Sequence, residues 1–242
     1  MPKRLFGLIL LSLMIVPGAA AEAIRVAHNR LLPPFAEVKD GKAVGLVIDI
    51  FRAAAERAGY QVEFFPVPIE QMEAALKDGS AVATIPTAIT AERRQTMDFT
   101  DLLLMTGGAI YVRAGEPTPD GVEALAGKVV VTPRTGPLAA YLRNTVPKAQ
   151  LEVTEDYETS IERLVSGKAD AAALNFQAGA MIANKLYPGK VSVPDKMFLV
   201  LPFSAAVLKG KNTDFVTRFN KGLADIRADG TFERINKSWI GQ

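Results

Sequence analysis

The sequence predicts an α/β fold made of two similar halves, and three observations carry that expectation. Apolar runs of strand length alternate with amphipathic helical stretches almost throughout the chain, the pattern of parallel sheet covered by helices. A weak internal repeat sets Gly79-Ser80-Ala81-Val82-Ala83 beside Gly167-Lys168-Ala169-Asp170-Ala171, each after a helical stretch and at the start of an apolar strand. Continuing in step, Thr87 falls opposite Asn175. Both are polar residues closing apolar runs, and ligands of open α/β sheets bind just outside the carboxyl ends of the strands. Two such sheets facing each other would make a cleft, although helix-glycine-strand units also recur in any α/β protein.

The elements follow in order. Residues 24–27 read as a short buried strand. Val47, Ile50, Phe51, Ala54, Ala55 and Ala58 fall at helical spacing with Gly59 as the stop. A strand over 61–67 precedes a helix over 69–77, with Met72, Ala75 and Leu76 inward, and then a strand over 81–85. The second series has strands over 109–113 and 128–132 with a short helix over 122–126 between them. A helix over 138–146 follows, with Gly136 and Pro137 in the cap and first-turn positions. Then come strand 150–154, helix 158–166, strand 169–174, helix 177–186 and extended stretches at 191–193 and 205–208. Two helices close the chain, one lined by Phe215, Phe219, Leu223 and Ile226, the other by Phe232, Ile235 and Trp239. Trp239 is expected to pack the last helix.

The amino terminus has a different character. Lys3 and Arg4 precede an apolar run over 5–16, Pro17-Gly18 breaks it, and Ala19-Ala20-Ala21 supplies small residues. This is the three-part pattern of a cleaved secretory leader, too short for a spanning helix, with cleavage expected after Ala21. Beyond Lys3 and Arg4, 26 basic residues face 26 acidic ones, which argues against nucleic acid or an anionic membrane as partner. The absence of cysteine removes disulfides, thiolate chemistry and a lipidated amino terminus.

Several segments could carry chemistry. Thr90-Ala91-Glu92-Arg93-Arg94 follows a buried strand. Thr90 can cap a short helix, and a guanidinium fork at Arg93 or Arg94 fits a carboxylate. The same spacing equally suits a solvated helix face. Arg134-Thr135-Gly136-Pro137 joins a strand to a helix and offers an anion-friendly loop or an ordinary turn. It lacks the lysine and length of a nucleotide-binding loop. His28 is the sole histidine, so a multi-histidine metal site is excluded, and no serine elbow accompanies it. His28 is expected to end a strand near the cleft mouth. Phe35, in the rigid loop Leu31-Leu32-Pro33-Pro34-Phe35, suits core better than a ligand platform.

In this order the segments resemble the family 3 bacterial extracellular solute-binding proteins, over nearly all of residues 24–241. The landmarks are Pro33-Pro34-Phe35, Gly45-Leu46-Val47-Ile48-Asp49-Ile50, and Ala88-Ile89-Thr90-Ala91-Glu92-Arg93 leading into Asp98-Phe99-Thr100. Ala228-Asp229-Gly230-Thr231-Phe232 and Lys237-Ser238-Trp239-Ile240-Gly241 complete them. The resemblance implies a periplasmic-binding-protein-like fold with a ligand cleft between two α/β lobes and two crossing segments. Lobe 1 would be 24–105 plus 205–242, and lobe 2 would be 106–204. It implies that Arg93 clamps a ligand carboxylate, helped by Arg134, Thr135 and Gly136. Thr87, Ala88, Asn175, Phe35, Ile69 and Leu32 complete the implied site. The partners implied are a small carboxylate ligand and an ABC-type permease, with a monomeric chain, no cofactor and no metal.

The departures from the family pattern shape the expected ligand. Asn175 stands where the family places an acidic residue for the ligand's ammonium group, and Asn29 where another acid is often found. Ala88 replaces a small hydroxyl residue, Pro86 has no N–H to donate, and Leu32 and Ile69 replace aromatics. The resemblance therefore implies that carboxylate recognition is kept while ammonium pairing and stacking are lost. The expected ligand is a modified amino acid or organic acid rather than an ordinary polar amino acid, and Arg134 and Arg30 would favour a second anionic group. Two other readings stand beside this one. A dehydratase-type enzyme on the same scaffold would need a general acid in the cleft, and Glu155 or Asp156 could reach it. The leading reading is capture by closure of the two lobes around a hinge, and a sensor would use the same closure to dock on a signalling partner rather than a permease.

Overall fold

The computed structural model describes residues 21–134 and 138–240. The first unit runs β1 (Glu22–Asn29), a small ribbon of β2 (Leu31–Leu32), β3 (Ala36–Lys39) and β4 (Lys42–Val44), and then α1 (Leu46–Arg57). It continues through β5 (Tyr60–Val67), α2 (Met72–Lys77) and β6 (Ala83–Ala88). After α3 (Arg93–Thr96) and β7 (Met97–Phe99), the long strand β8 (Leu104–Arg113) leads into the second unit. That unit holds β9 (Val129–Pro133), α4 (Leu138–Thr145), β10 (Gln150–Thr154), α5 (Tyr157–Val165), β11 (Ala171–Asn175) and α6 (Phe176–Leu186). β12 (Val191–Ser192) and the long β13 (Leu199–Leu208) return the chain to α7 (Thr213–Ala228) and α8 (Thr231–Ile240).

Strand order makes the repeat visible. The main path is β10-β9-β11-β8-β13-β6-β1-β5. In each unit the third parallel strand lies beside the first, and the first beside the second: β6-β1-β5 and β11-β9-β10. Thr87 and Asn175 both occupy the fifth position of the third strand, as the sequence repeat places them.

The two units are not separate facing sheets. β8 and β13 run antiparallel to each other and join both sides into one hydrogen-bonded path. Residues 104–108 of β8 pair with 199–203 of β13. Beyond that ribbon β8 continues onto β11 and β13 onto β6 and β7. Four residue steps at ~3.4 Å give the ribbon a span of about 14 Å.

Packing follows the same division. α1 buries Leu46, Val47, Ile48, Ile50, Phe51, Ala54 and Ala55. Phe51 stacks on Phe219 of α7 at 4.6 Å between ring centroids. This cluster draws its buried residues from 24–104 and 205–226, and a satellite from 27–97 and 206. The other two clusters draw theirs from 109–191 and 110–173. Trp239 packs against the first cluster and donates its indole N–H to Asp49 Oδ2 at 2.9 Å.

Some expected boundaries shift for local reasons. The expected helix over 69–77 begins as a 3-10 turn, Ile69–Gln71, after Pro68, and turns α-helical only at Met72. The strand expected from residue 81 starts at Ala83, because the Ala81 N–H still bonds back to the Ala75 carbonyl at the end of α2. Both long strands begin earlier than their apolar runs suggest, at Leu104 and Leu199. Among the described residues no helix is long and apolar enough to cross a membrane.

Candidate functional site

The parallel strands of the two units end on either side of the crossing ribbon. At one end of it Ala88, closing β6, pairs with Phe203, which pairs with Leu104. At the other end Asn175, closing β11, pairs with Gly108, which pairs with Leu199. The two carboxyl edges, where α/β sheets bind ligands, are therefore separated by one short stretch of antiparallel ribbon.

Arg93 opens α3 just beyond β6. Its guanidinium donates from Nη1 to the Ala88 carbonyl at 3.0 Å, and its backbone N–H donates to Thr90 Oγ1 at 3.2 Å. The residue is half-buried and near enough to Glu73 to reinforce Lys77 in holding that carboxyl low. Among the described residues no carboxylate lies within 4.0 Å of its guanidinium, so the other N–H groups of the fork remain open to a ligand. Arg94 instead turns outward and lies over the Phe99 ring at 5.6 Å. The helix is a single turn of four residues, too short for a useful dipole, so anion affinity here rests on the side chain.

Thr87 is buried, and its hydroxyl bonds to Thr84 through both the carbonyl (3.2 Å) and Oγ1 (3.1 Å). Its partners are internal. Leu32 is half-buried, while Ile69 is 56% exposed at the mouth beyond β5. Phe35 does not fit its expected place at the ligand. It is 2% exposed and packs edge-on against Phe203 at 5.3 Å, so it has no surface to offer.

On the other edge, Arg134 follows β9, is exposed, and sits 4.0 Å from Glu155 Oε1. Thr135, Gly136 and Pro137 lie outside the described residues. Asn175 ends β11 and caps α6, its Oδ1 accepting the backbone N–H groups of Gln177 and Ala178. The start of α6 is held to β8 by Tyr111, whose hydroxyl donates to the Phe176 carbonyl and whose ring packs against Gly179. Burial pushes that phenol well above its ordinary pKa. Thr106 and Gln177, both buried and both bonded into this corner, escaped the reading of the sequence. The available signal was a lone threonine in a strand otherwise apolar and glycine-rich.

His28 lies inside β1 with its ring wholly buried. Nδ1–H donates to the Asn29 carbonyl at 2.9 Å, and Nε2 has no partner. Desolvation outweighs that bond and lowers its pKa below 6.5. The folded state therefore binds this proton less readily than the unfolded chain. The stabilisation is full above pH 6.5 and is lost as pH falls towards the depressed folded value. The carboxylates Glu73, Asp78, Asp98, Asp156 and Asp229 are all held low, so they lose stability only in more acid solution. Melting temperature is expected to fall between pH 6.5 and 5, and His28→Gln should flatten that slope. An unchanged slope in the variant would assign it elsewhere.

Two cavities lie away from these residues. One of about 200 Å³ is bordered by Ile110, Asp120, Lys196 and Phe198. The other, about 810 Å³, lies between Lys42, Arg52 and Trp239 on one side and Met181 and Lys185 on the other. Neither includes Arg93, Arg134 or Asn175, so the candidate site is defined by the strand ends. No group of three or more metal-ligating side chains occurs among the described residues.

Duplicated parallel sheets, joined by two crossing strands with their carboxyl edges at the junction, define a two-lobed α/β binding protein. The chain belongs to the bacterial extracellular solute-binding proteins, family 3, whose model matches residues 24–242. It is 26% identical over 206 residues to the ABC transporter glutamine-binding protein GlnH of Bacillus subtilis, covering 83% of this chain and 74% of that one. An ancestral cationic amino acid solute-binding protein superposes with a TM-score of 0.78 at 27% identity, over 90% of this chain and 95% of that one. A structure of an ancestral amino acid-binding protein described as a precursor of cyclohexadienyl dehydratase gives a TM-score of 0.65 at 26% identity, over 90% and 95%. The role of the chain is solute binding outside the cytoplasmic membrane.

Proposed function

We propose that the chain captures a small carboxylate-bearing solute between its two lobes and delivers it, as a monomer, to an ABC-type permease. The observation that carries this is Arg93: a half-buried guanidinium, fixed at one corner by the Ala88 carbonyl, at the carboxyl edge of β6. A planar fork held this way suits bidentate carboxylate binding. Arg134, at the edge of β9, would add a second cation from the opposite lobe. A solute that touches both edges favours the closed arrangement, whereas one that touches a single lobe cannot.

The lobes divide at the ribbon, with 24–105 and 205–242 forming one and 106–204 the other. The separation of the hydrophobic clusters supports this division. Export through a leader cleaved after Ala21 agrees with the start of β1 at Glu22, whose N–H bonds the Gly59 carbonyl.

The dehydratase likeness gives a second reading some footing. That chemistry needs a carboxyl held protonated near neutral pH. Asp156 is the opposite case, its pKa lowered chiefly by the Thr159 backbone N–H it accepts as the α5 cap, and Glu155 is exposed. Incubation with prephenate or arogenate is expected to yield no aromatic product.

The test is a thermal-shift screen of organic acids, modified amino acids and amino acids against residues 22–242. At 100 times Kd a ligand adds about 2.7 kcal/mol, a rise of roughly 5–10 °C for a chain of this size. A screen in which no carboxylate raises the melting temperature contradicts the reading.

A further inference from the structure

Where β11 meets the crossing ribbon, polar groups form a one-way chain of hydrogen bonds. Asn175 Oδ1 accepts from the backbone N–H groups of Gln177 and Ala178, each at 3.1 Å. Two donors occupy that oxygen and fix which end of the amide is which. Nδ2 then faces Thr106 and donates to its Oγ1 at 2.7 Å. Gln177 Nε2 donates to the Met105 carbonyl at 2.8 Å, which turns Gln177 Oε1 towards Thr106. The Thr106 hydroxyl donates to that Oε1 at 2.7 Å. Thr106 is 0% and Gln177 4% exposed, so these bonds are not traded with bulk water.

The direction of the chain decides what residue 175 can be. Thr106 has one hydroxyl hydrogen, already committed to Gln177. A carboxylate at 175 would place an oxygen against Thr106 Oγ1 with no hydrogen between them. Redirecting that hydrogen would strand the buried Gln177 Oε1. The network therefore accepts an amide and resists an acid. It also leaves Asn175, half-buried at the edge of its lobe, with one uncommitted group, the second Nδ2 hydrogen, which is a donor.

The geometry points to Thr106 and Gln177 as positioning residues that lock Asn175 as a hydrogen-bond donor, so that the site selects carboxylates bearing an uncharged acceptor beside the carboxyl group over amino acids bearing an ammonium. This rests on the reading of Arg93 and Asn175 as opposite borders of one site. The solute class is then 2-oxo acids, 2-hydroxy acids and N-acyl amino acids. Two donors, Asn175 N–H and an ammonium, would face each other without an acceptor, whereas an oxo or acyl oxygen completes the bond.

The test is calorimetry with matched pairs: L-glutamate and 2-oxoglutarate, L-leucine and 4-methyl-2-oxopentanoate, L-phenylalanine and N-acetyl-L-phenylalanine. Wild type is expected to prefer the uncharged partner of whichever pair binds. Asn175→Asp should shift that ratio by about tenfold or more towards the amino acid, the scale of one charged hydrogen bond. It should also lower the melting temperature by roughly a few degrees, and adding Gln177→Met, which frees the Thr106 hydrogen, should restore part of the loss. Thr106→Val should weaken the preference and Thr106→Ser keep it, a comparison that stands even if the aspartate variant fails to fold. An unchanged ratio in both Asn175→Asp and Thr106→Val, with binding retained, overturns this inference alone. Wild type that binds no member of any pair overturns the carboxylate reading and this inference with it.

Discussion

Arg93→Ala is expected to weaken binding of any carboxylate solute by roughly 10- to 150-fold, with little change in the fold. The magnitude follows from losing a charged hydrogen-bonding partner, about 1.5–3 kcal/mol, at 1.4 kcal/mol per tenfold in Kd. The side chain makes one internal side-chain hydrogen bond, to the Ala88 carbonyl, and belongs to no hydrophobic cluster. Its removal should therefore move the unliganded melting temperature by only a degree or two. Arg93→Lys keeps the charge but not the planar fork, so it should recover a minor part of the affinity. Calorimetry on the three forms with one hit from the screen checks this. Equal affinity in wild type and the alanine variant would move the anchor elsewhere, with Arg134 the next residue to examine.

The second large effect is expected at Gly107. It lies in the middle of the crossing ribbon opposite Val200. A Cβ added there would fall 1.7 Å from the Leu199 carbonyl oxygen and 2.8 Å from its carbon. The obstruction is backbone, so relief requires the two strands to part. Overpacking of this severity costs about 3 kcal/mol or more, a drop of roughly 6–12 °C in melting temperature for Gly107→Ala. Val200→Ala is the control. Val200 is 46% exposed, and surface changes of that kind stay within about 0.5 kcal/mol. Because the two lobes divide at this ribbon, a folded Gly107→Ala chain should bind its solute more weakly. Equal melting temperatures for the two variants would contradict the close strand contact.

Much of this architecture is legible in the sequence because its signals are local. Strand 150–154 and the buried face of α2 are recovered because apolar periodicity reports them directly. The repeat around Gly79 and Gly167 anticipates strands that prove equivalent in sheet order. The ribbon β2-β3-β4 is not legible because its strands are only two to four residues long, too short for an alternation such as Ala36-Glu37-Val38-Lys39 to stand out from the flanking loop. The junction half of β8 is masked by Gly107-Gly108, and that of β13 by Pro202. These stretches are extended because they pair with each other, and partners some ninety residues apart leave no local trace. The same distance problem hides the corner around Asn175. Departure from an acidic residue can be read from one position, but its accommodation by Thr106 requires a contact across 69 residues. Phe35 shows the converse. Its residue type favours the core while the family resemblance places it at the ligand, and packing against Phe203 decides for the core.

The most direct test is a crystal structure of residues 22–242 with the first carboxylate that raises the melting temperature. That carboxylate is expected within about 3 Å of the Arg93 guanidinium, with the rest of the solute reaching the edge formed by Arg134 and Asn175. A solute bound with Arg93 facing open water, or touching only one lobe, would contradict it.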